Sequence, residues 1–299
     1  WALMLFSSLS AFCWESETQA CPRDPARFAK TQREAQHNKA AAQAVLASCF
    51  ELGRHVKSSR AESIHWLELA AEQGYATAEH ELGRIYLYGR GIPADYGRAL
   101  FWEQKAARQG ERESQRDMAF IYERGLGVPA DAGAAAVWNR KAAEQGEPEA
   151  QLHLAEALAT GNGLPANLAE AKIWYAKAAR QEASQAQLRL AQLYAQDGEE
   201  TCKAALHWYK KAAAHGEAQA MYELGKLYAG NCGPNTRTAL FWFRAGDRFG
   251  SAESRAEAEV QGAMLTRQQR TQTELRAAAW ASRHSAAQKD EDEEEKERP

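Results

Sequence analysis

The strongest constraint on this chain is a repeat. Tryptophan recurs at Trp66, Trp102, Trp138 and Trp174, each 36 residues after the last, then at Trp208 and Trp242 after steps of 34. Three residues before each stands a small residue: Ser63, Ala99, Ala135, Ala171, Ala205 or Ala239. Four residues after each stands another: Ala70, Ala106, Ala142, Ala178, Ala212 or Gly246. Offsets of −3, 0 and +4 share one face of a helix. Small residues on both sides of an indole let a neighbouring helix approach closely while the ring fills the gap beside it. A second stripe keeps the same period. Leu46, Leu82, Met118, Leu154, Leu190 and Leu224 follow Ala42, Ala78, Ser114, Ala150, Ala186 and Ala220 by four residues. Four residues further on come Phe50, Tyr86, Tyr122, Leu158, Tyr194 and Tyr228. Two helices per period are implied, and periods of roughly 20–50 residues mark architectures of stacked repeats.

The joints between these helices look at first like chemistry. The segments 89-GRGIPAD-95, 125-GLGVPAD-131 and 161-GNGLPAN-167 carry paired glycines, as phosphate-binding loops do. No strand pattern precedes them, and they lack the lysine such a loop requires. A segment that returns once per repeat reads instead as a turn. Its first glycine can end a helix in the left-handed conformation. Pro93, Pro129 and Pro165 stop helix continuation, and Asp95, Asp131 and Asn167 can cap the helix that follows.

With the loops in place, the pattern resembles the Sel-like repeat family, a relative of the tetratricopeptide repeats. The stretches 78-AEHELGRIYLYGRGIPADYGRALFWEQKAARQG-110 and 114-SQRDMAFIYERGLGVPADAGAAAVWNRKAAEQG-146 match its pattern almost throughout. Units 183–216 and 217–250 depart from it by loops two residues shorter, and the last reads RAGDRFG where K-A-A-x-x-G is expected. The resemblance implies an all-α chain, an α/α superhelical solenoid of about six helix-turn-helix repeats with a concave face and a C-terminal capping helix. Six repeats then occupy 38–250, preceded by an extension at 21–37 and followed by a capping helix at 251–285. The acidic tail 286–299 reads as a solvated, disordered end.

The first fourteen residues, WALMLFSSLSAFCW, are apolar with a few serines. They are shorter than the ~20 residues of a spanning helix, and residues 1–20 read as a secretory signal peptide. An N-terminal segment packed on the fold is the alternative. Phe12, where a small residue belongs before Cys13, speaks against a lipid anchor. Without the leader, Cys21, Cys49, Cys202 and Cys232 remain, an even number that suits an oxidising compartment. Cys202 opens a tryptophan-bearing helix and Cys232 follows the next helix. Antiparallel neighbours bring those ends together, so a Cys202–Cys232 bridge is expected, with Cys21–Cys49 tying down the N-terminal extension. Four buried free thiols are the alternative.

No catalytic, cofactor or metal motif is apparent. The eight histidines share no ligand spacing, and neither a nucleophile elbow nor a CxxC is present. A net charge of −3 gives no reason to expect nucleic acid, and no small-molecule ligand is expected. In the related tetratricopeptide fold, ligands lie along the first helix of each repeat. Carried over, that idea selects the positions two after each leucine site: Arg84, Phe120, Glu156, Gln192 and Lys226. One turn later it adds Tyr88 and Arg124. These positions vary between repeats while the packing stripes do not. The expectation is a periplasmic or secreted scaffold for a protein or peptide partner, with no transmembrane span in its mature form. Two other readings remain open: an enzyme or binder acting on cell-wall peptides or β-lactams, and a glycan-binding component of polysaccharide export.

Overall fold

The computed structural model describes residues 20–230 and 232–297, and of residues 199 and 286–297 the backbone alone. The expected leader therefore lies outside the described residues up to Ala20. Among the described residues there are fifteen α-helices and no strand. No helix among them is long and apolar enough to cross a membrane. The chain divides into two compact units, one ending at Ala166 and one beginning at Asn167.

The first unit opens with α1 (Pro25–Gln36), which packs on α2 (Ala40–Leu52). It continues through α3 (Arg60–Glu72), α4 (Ala76–Tyr88), α5 (Tyr96–Arg108), α6 (Arg112–Arg124), α7 (Ala132–Glu144) and α8 (Pro148–Thr160), each helix packed on the next. Each turn is built as its residues dictate. Gly89, Gly125 and Gly161 close α4, α6 and α8 in the left-handed conformation. Asp95 and Asp131 then accept the amide hydrogens of Arg98 and Ala134 at 3.0 and 2.9 Å. The second glycine of the loop has a different task. Gly127 lies against the Tyr96 carbonyl and Gly163 against the Ala132 carbonyl, where a Cβ would overlap backbone. The loop thus seats on the start of the preceding tryptophan-bearing helix.

The second unit holds α9 (Leu168–Arg180), α10 (Ser184–Gln196), α11 (Cys202–Ala214), α12 (Ala218–Ala229), α13 (Thr236–Arg248), α14 (Ala252–Ala263) and α15 (Arg267–Glu297). Its first short loop ends α10 at Asp197 rather than at a glycine and adds a single 3-10 turn, Glu199–Thr201. Where other repeats have glycine after the second helix, Glu182 takes a φ of 64°. Its carboxylate accepts from Lys211 Nζ and binds His215 Nε2, at 3.3 and 3.1 Å. Residues 251–285, expected as one capping helix, form α14 and the first part of α15. Thr266 and Gln269 cause the break: each side chain accepts the other's backbone N–H, at 3.3 and 3.1 Å, the reciprocal cap of a new helix. The helix then runs through the expected tail as far as Glu297. Trp280 of α15 packs edge-on against Trp242 of α13, with centroids 5.3 Å apart.

In both units the alanine columns are the deepest layer. Ala70, Ala99, Ala106 and Ala142 are fully buried in the first, as are Ala171, Ala178, Ala205, Ala212 and Ala239 in the second. The indoles sit nearer the rim. Trp66, Trp102, Trp138 and Trp208 are half-buried, while Trp174 and Trp242 are buried. A lysine three residues on covers the ring in four repeats: Lys105, Lys141, Lys177 and Lys211 lie 4.7, 4.0, 3.6 and 5.7 Å from the centroids of Trp102, Trp138, Trp174 and Trp208. A glutamine column adds a polar clasp. Gln43, Gln115 and Gln151 donate to Ala35, Ala107 and Ala143 carbonyls in the first unit, and Gln187 donates to the Ala179 carbonyl in the second, at 3.1–3.3 Å. Each clasp satisfies a carbonyl in the last turn of the preceding helix.

Two alanine substitutions separate the conformational part of a glycine's role from the steric part. At Gly110 (φ 91°) nothing lies within 4 Å of a Cβ, so Gly110→Ala should cost only the left-handed backbone penalty, about 1–2 kcal/mol. Gly163→Ala should cost at least ~1 kcal/mol more, because the added methyl must displace the Ala132 backbone. Urea unfolding followed by circular dichroism measures the difference.

Candidate functional site

The expected partner-binding residues lie on the first helix of each repeat. On α4 the Tyr88 ring is bracketed by two guanidinium groups, Arg84 Cζ at 5.8 Å and Arg90 Cζ at 5.5 Å from its centroid. Burial and then the Asp117 charge push the Tyr88 phenol up from its ordinary pKa. Burial, followed by repulsion from Arg84, lowers Arg90. Arg84 was expected to face the partner, but it is 3% exposed. Its guanidinium backs the tyrosine ring instead, so Arg84 supports the face and does not form it. On α6, Arg124 is exposed and lies 5.8 Å from the Phe120 ring, which is half-buried. Glu156 on α8 is half-buried. In the second unit, Gln192 accepts a hydrogen bond from Arg189 Nη1 at 3.3 Å. Lys226 is exposed, pairs with Glu223 at 3.1 Å, and lies 5.2 Å from the Tyr222 ring.

Beneath the α4–α6 face lies a buried polar cluster that sequence spacing did not reveal. His80 of α4, Glu103 of α5 and Asp117 of α6 are 1%, 0% and 2% exposed. His80 Nδ1 is 3.1 Å from Glu103 Oε2 and 2.9 Å from Ser114 Oγ. Asp117 Oδ1 accepts from Arg116 Nε and Nη2, at 3.2 and 3.0 Å. Half-buried Glu111 and Glu113 adjoin, with Glu111 Oε2 4.0 Å from His80 Nδ1. Burial raises Glu103, and the neighbouring imidazole opposes that rise. Burial and the Glu113 carboxyl push Glu111 up to about 7, while the hydrogen bond from Glu111 draws Glu113 down to about 2. One ligand atom each from His80, Glu103 and Asp117 falls within 4.8 Å of the others, and the same holds for His80, Glu111 and Glu113.

The signal that could have found this cluster is vertical, down the repeat columns. The position after each tryptophan carries Leu67, Glu103, Asn139, Tyr175, Tyr209 and Phe243. The position two before each leucine carries Ala44, His80, Arg116, Leu152, Leu188 and Tyr222. His80 and Glu103 stand out as ionisable residues in these columns, whereas Asp117 stands in a column that also carries Glu81, His153, Arg189 and Glu223 and gives no such signal.

Cys21 pairs with Cys49 and Cys202 with Cys232, with Cα separations of 4.9 and 5.9 Å, inside the range a disulfide spans.

Six consecutive matches to the Sel1 repeat cover residues 40–75, 76–111, 112–147, 148–182, 184–217 and 218–246. The chain belongs to the Sel1 repeat family. Repeats of this family generally mediate protein–protein interaction, typically as non-catalytic scaffolds. The chain resembles the crystal structure of a protective antigen present in uropathogenic Escherichia coli strains, which displays the same repeat fold. The two are 30% identical with a TM-score of 0.76, over 87% of this chain and 57% of that one. This chain therefore spans a little over half the length of that relative. It also resembles a Sel1 repeat protein from Oxalobacter formigenes, at 27% identity and a TM-score of 0.56, over 74% of this chain and 94% of that one. No curated protein matches the chain.

The cysteine geometry gives a direct test. Non-reducing peptide mapping should find Cys21 linked to Cys49 and Cys202 to Cys232. Changing Cys202 and Cys232 together to serine should lower stability by about 3.6 kcal/mol, the loop-closure value for a loop of roughly thirty residues. Free thiols at all four positions would mean that neither pair is bridged.

Proposed function

We propose that this Sel1 repeat chain is an exported, non-catalytic scaffold that holds a protein or peptide partner along the first helices of its repeats, in a bacterial envelope or outside it. The observation that carries this reading is the contrast between columns. The alanine and leucine columns scarcely vary from repeat to repeat. The positions two and six after each leucine change chemistry in every repeat, and in the first unit they place aromatic rings beside guanidinium groups: Tyr88 with Arg90, and Phe120 with Arg124. Packing explains the constant columns; variation at the others, where Phe120 is half-buried and Arg124 exposed, is what recognition of a partner would produce. Tyrosine and arginine are common anchors at protein interfaces. Export is supported by two cysteine pairs at bridging distance. Likeness to a protein described as a protective antigen accords with it.

A Phe120→Ala, Arg124→Ala double variant tests the face, because neither side chain is fully buried. Its helical circular dichroism should match the original. In quantitative pull-downs from envelope extract, recovery of the specific partner should fall at least about tenfold, the loss expected when interface anchors are truncated. Equal recovery of the same proteins would remove this face from the binding surface.

A further inference from the structure

We propose that His80, Glu103 and Asp117 form a binding site for one divalent first-row transition-metal ion, of the zinc class, between α4, α5 and α6. The three side chains come from three helices and converge with one ligand atom each within 4.8 Å of the others. Convergence of acidic groups alone is common. Here the buried oxygens are also left over. Glu103 Oε1 and Asp117 Oδ2 are sealed from solvent and have no hydrogen-bond partner. A buried carboxylate oxygen without a donor is costly unless a proton or a cation meets it.

The two arginines that pair with the carboxylates of α6 and the start of α8 are each shared. Arg116 is shared among Asp117, Glu147 and Glu149, at 3.0, 3.6 and 3.5 Å. Arg112 is shared between Glu113 and Glu147, at 3.4 and 3.3 Å. Two guanidinium groups thus serve four carboxylates before Glu103 is counted. A divalent ion at His80 would offset the remainder.

The donor set and its support also fit. One imidazole and two carboxylates are ligands that zinc and its neighbours accept, with a fourth position left over. Ligands ~2.1 Å from such an ion stand ~3.4 Å apart in a tetrahedron, and His80 Nδ1 already lies 3.1 Å from Glu103 Oε2. The Arg116 fork holds Asp117 by its other oxygen, the kind of outer contact that orients a metal ligand. Room for the Glu103 carboxylate comes from a bare backbone. A Cβ at Gly83 would lie 2.5 Å from its Oε1. Glu111 and Glu113, both half-buried, each have a ligand atom within 4.8 Å of that of His80.

The proposal does not depend on the partner-binding reading and is tested apart from it. The untagged full chain, stripped with a chelator, is titrated with Zn²⁺ by calorimetry and with Co²⁺ by visible absorption. One equivalent should bind, thermal unfolding should shift upward, and Co²⁺ should show the d–d bands of a low-coordinate site. Glu103→Gln and Asp117→Asn, close in shape to the originals, should each weaken Zn²⁺ binding at least tenfold. Absence of stoichiometric binding to the original chain overturns the proposal whether or not the variants fold. So does binding that survives both substitutions, or binding that Glu111→Gln with Glu113→Gln removes while Glu103→Gln leaves it intact.

Discussion

A helix flanked on two sides by other helices can sit close to both only where its contact stripe carries nothing larger than a methyl group. That restriction organises this chain. Ala99 and Ala106, one turn either side of Trp102, are fully buried, and an alanine pair recurs around Trp138, Trp174 and Trp208, with Ala239 and Gly246 around Trp242. With the axes so close, little space remains between them for an indole. The rings are displaced toward the rim, where a lysine one turn on lies across four of them. The hydrophobic gain therefore comes from many small contacts repeated along the stack, and the large rings close its edges. The glutamine clasps belong to the same logic. Helices that end against one another bury terminal carbonyls, and a side-chain amide from the next helix satisfies them.

Close approach also creates holes, and the two units fill equivalent holes differently. Gly83 and Gly225 follow the leucine of their repeats, and each leaves a notch that a Cβ would occupy. In the second unit the notch takes the Phe243 ring. In the first it takes the Glu103 carboxylate. One site is ordinary core; the other brings a charge into the interior and with it His80, Ser114 and Asp117. The polar cluster is a local substitution of chemistry within an unchanged frame, which is why helix lengths and turns around it match those of the other repeats.

The surface above that cluster shares its electrostatics. Tyr88 lies between Arg84 and Arg90, and its phenol feels the Asp117 charge. Recognition on the outer face and charge balance in the interior are thus coupled through a few residues of α4 and α6. Arg84 shows how a column can mislead. It occupies the same register as Phe120, Glu156, Gln192 and Lys226, yet it is 3% exposed and lies against the Tyr88 ring.

Repetition made the architecture readable from residues alone. A period of 36 and then 34, small–large–small stripes, and a Gly-x-Gly-x-Pro-x-Asp/Asn turn at three of the joints leave helical pairs as the one arrangement that satisfies backbone and side chains together. The same register put Cys202 at the start of one helix and Cys232 just past the end of the next. Only the folded chain decided what lies between columns. His80, Glu103 and Asp117 are separated in sequence by more than a helical turn and have no ligand spacing. Three different helices had to pack before their side chains could meet. Burial of Arg84 and the Thr266–Gln269 break in the closing segment were likewise set by neighbours and caps that no single stripe encodes. Local periodicity specifies which face of a helix turns inward, but the environment that a polar side chain finds there is a property of the helices around it.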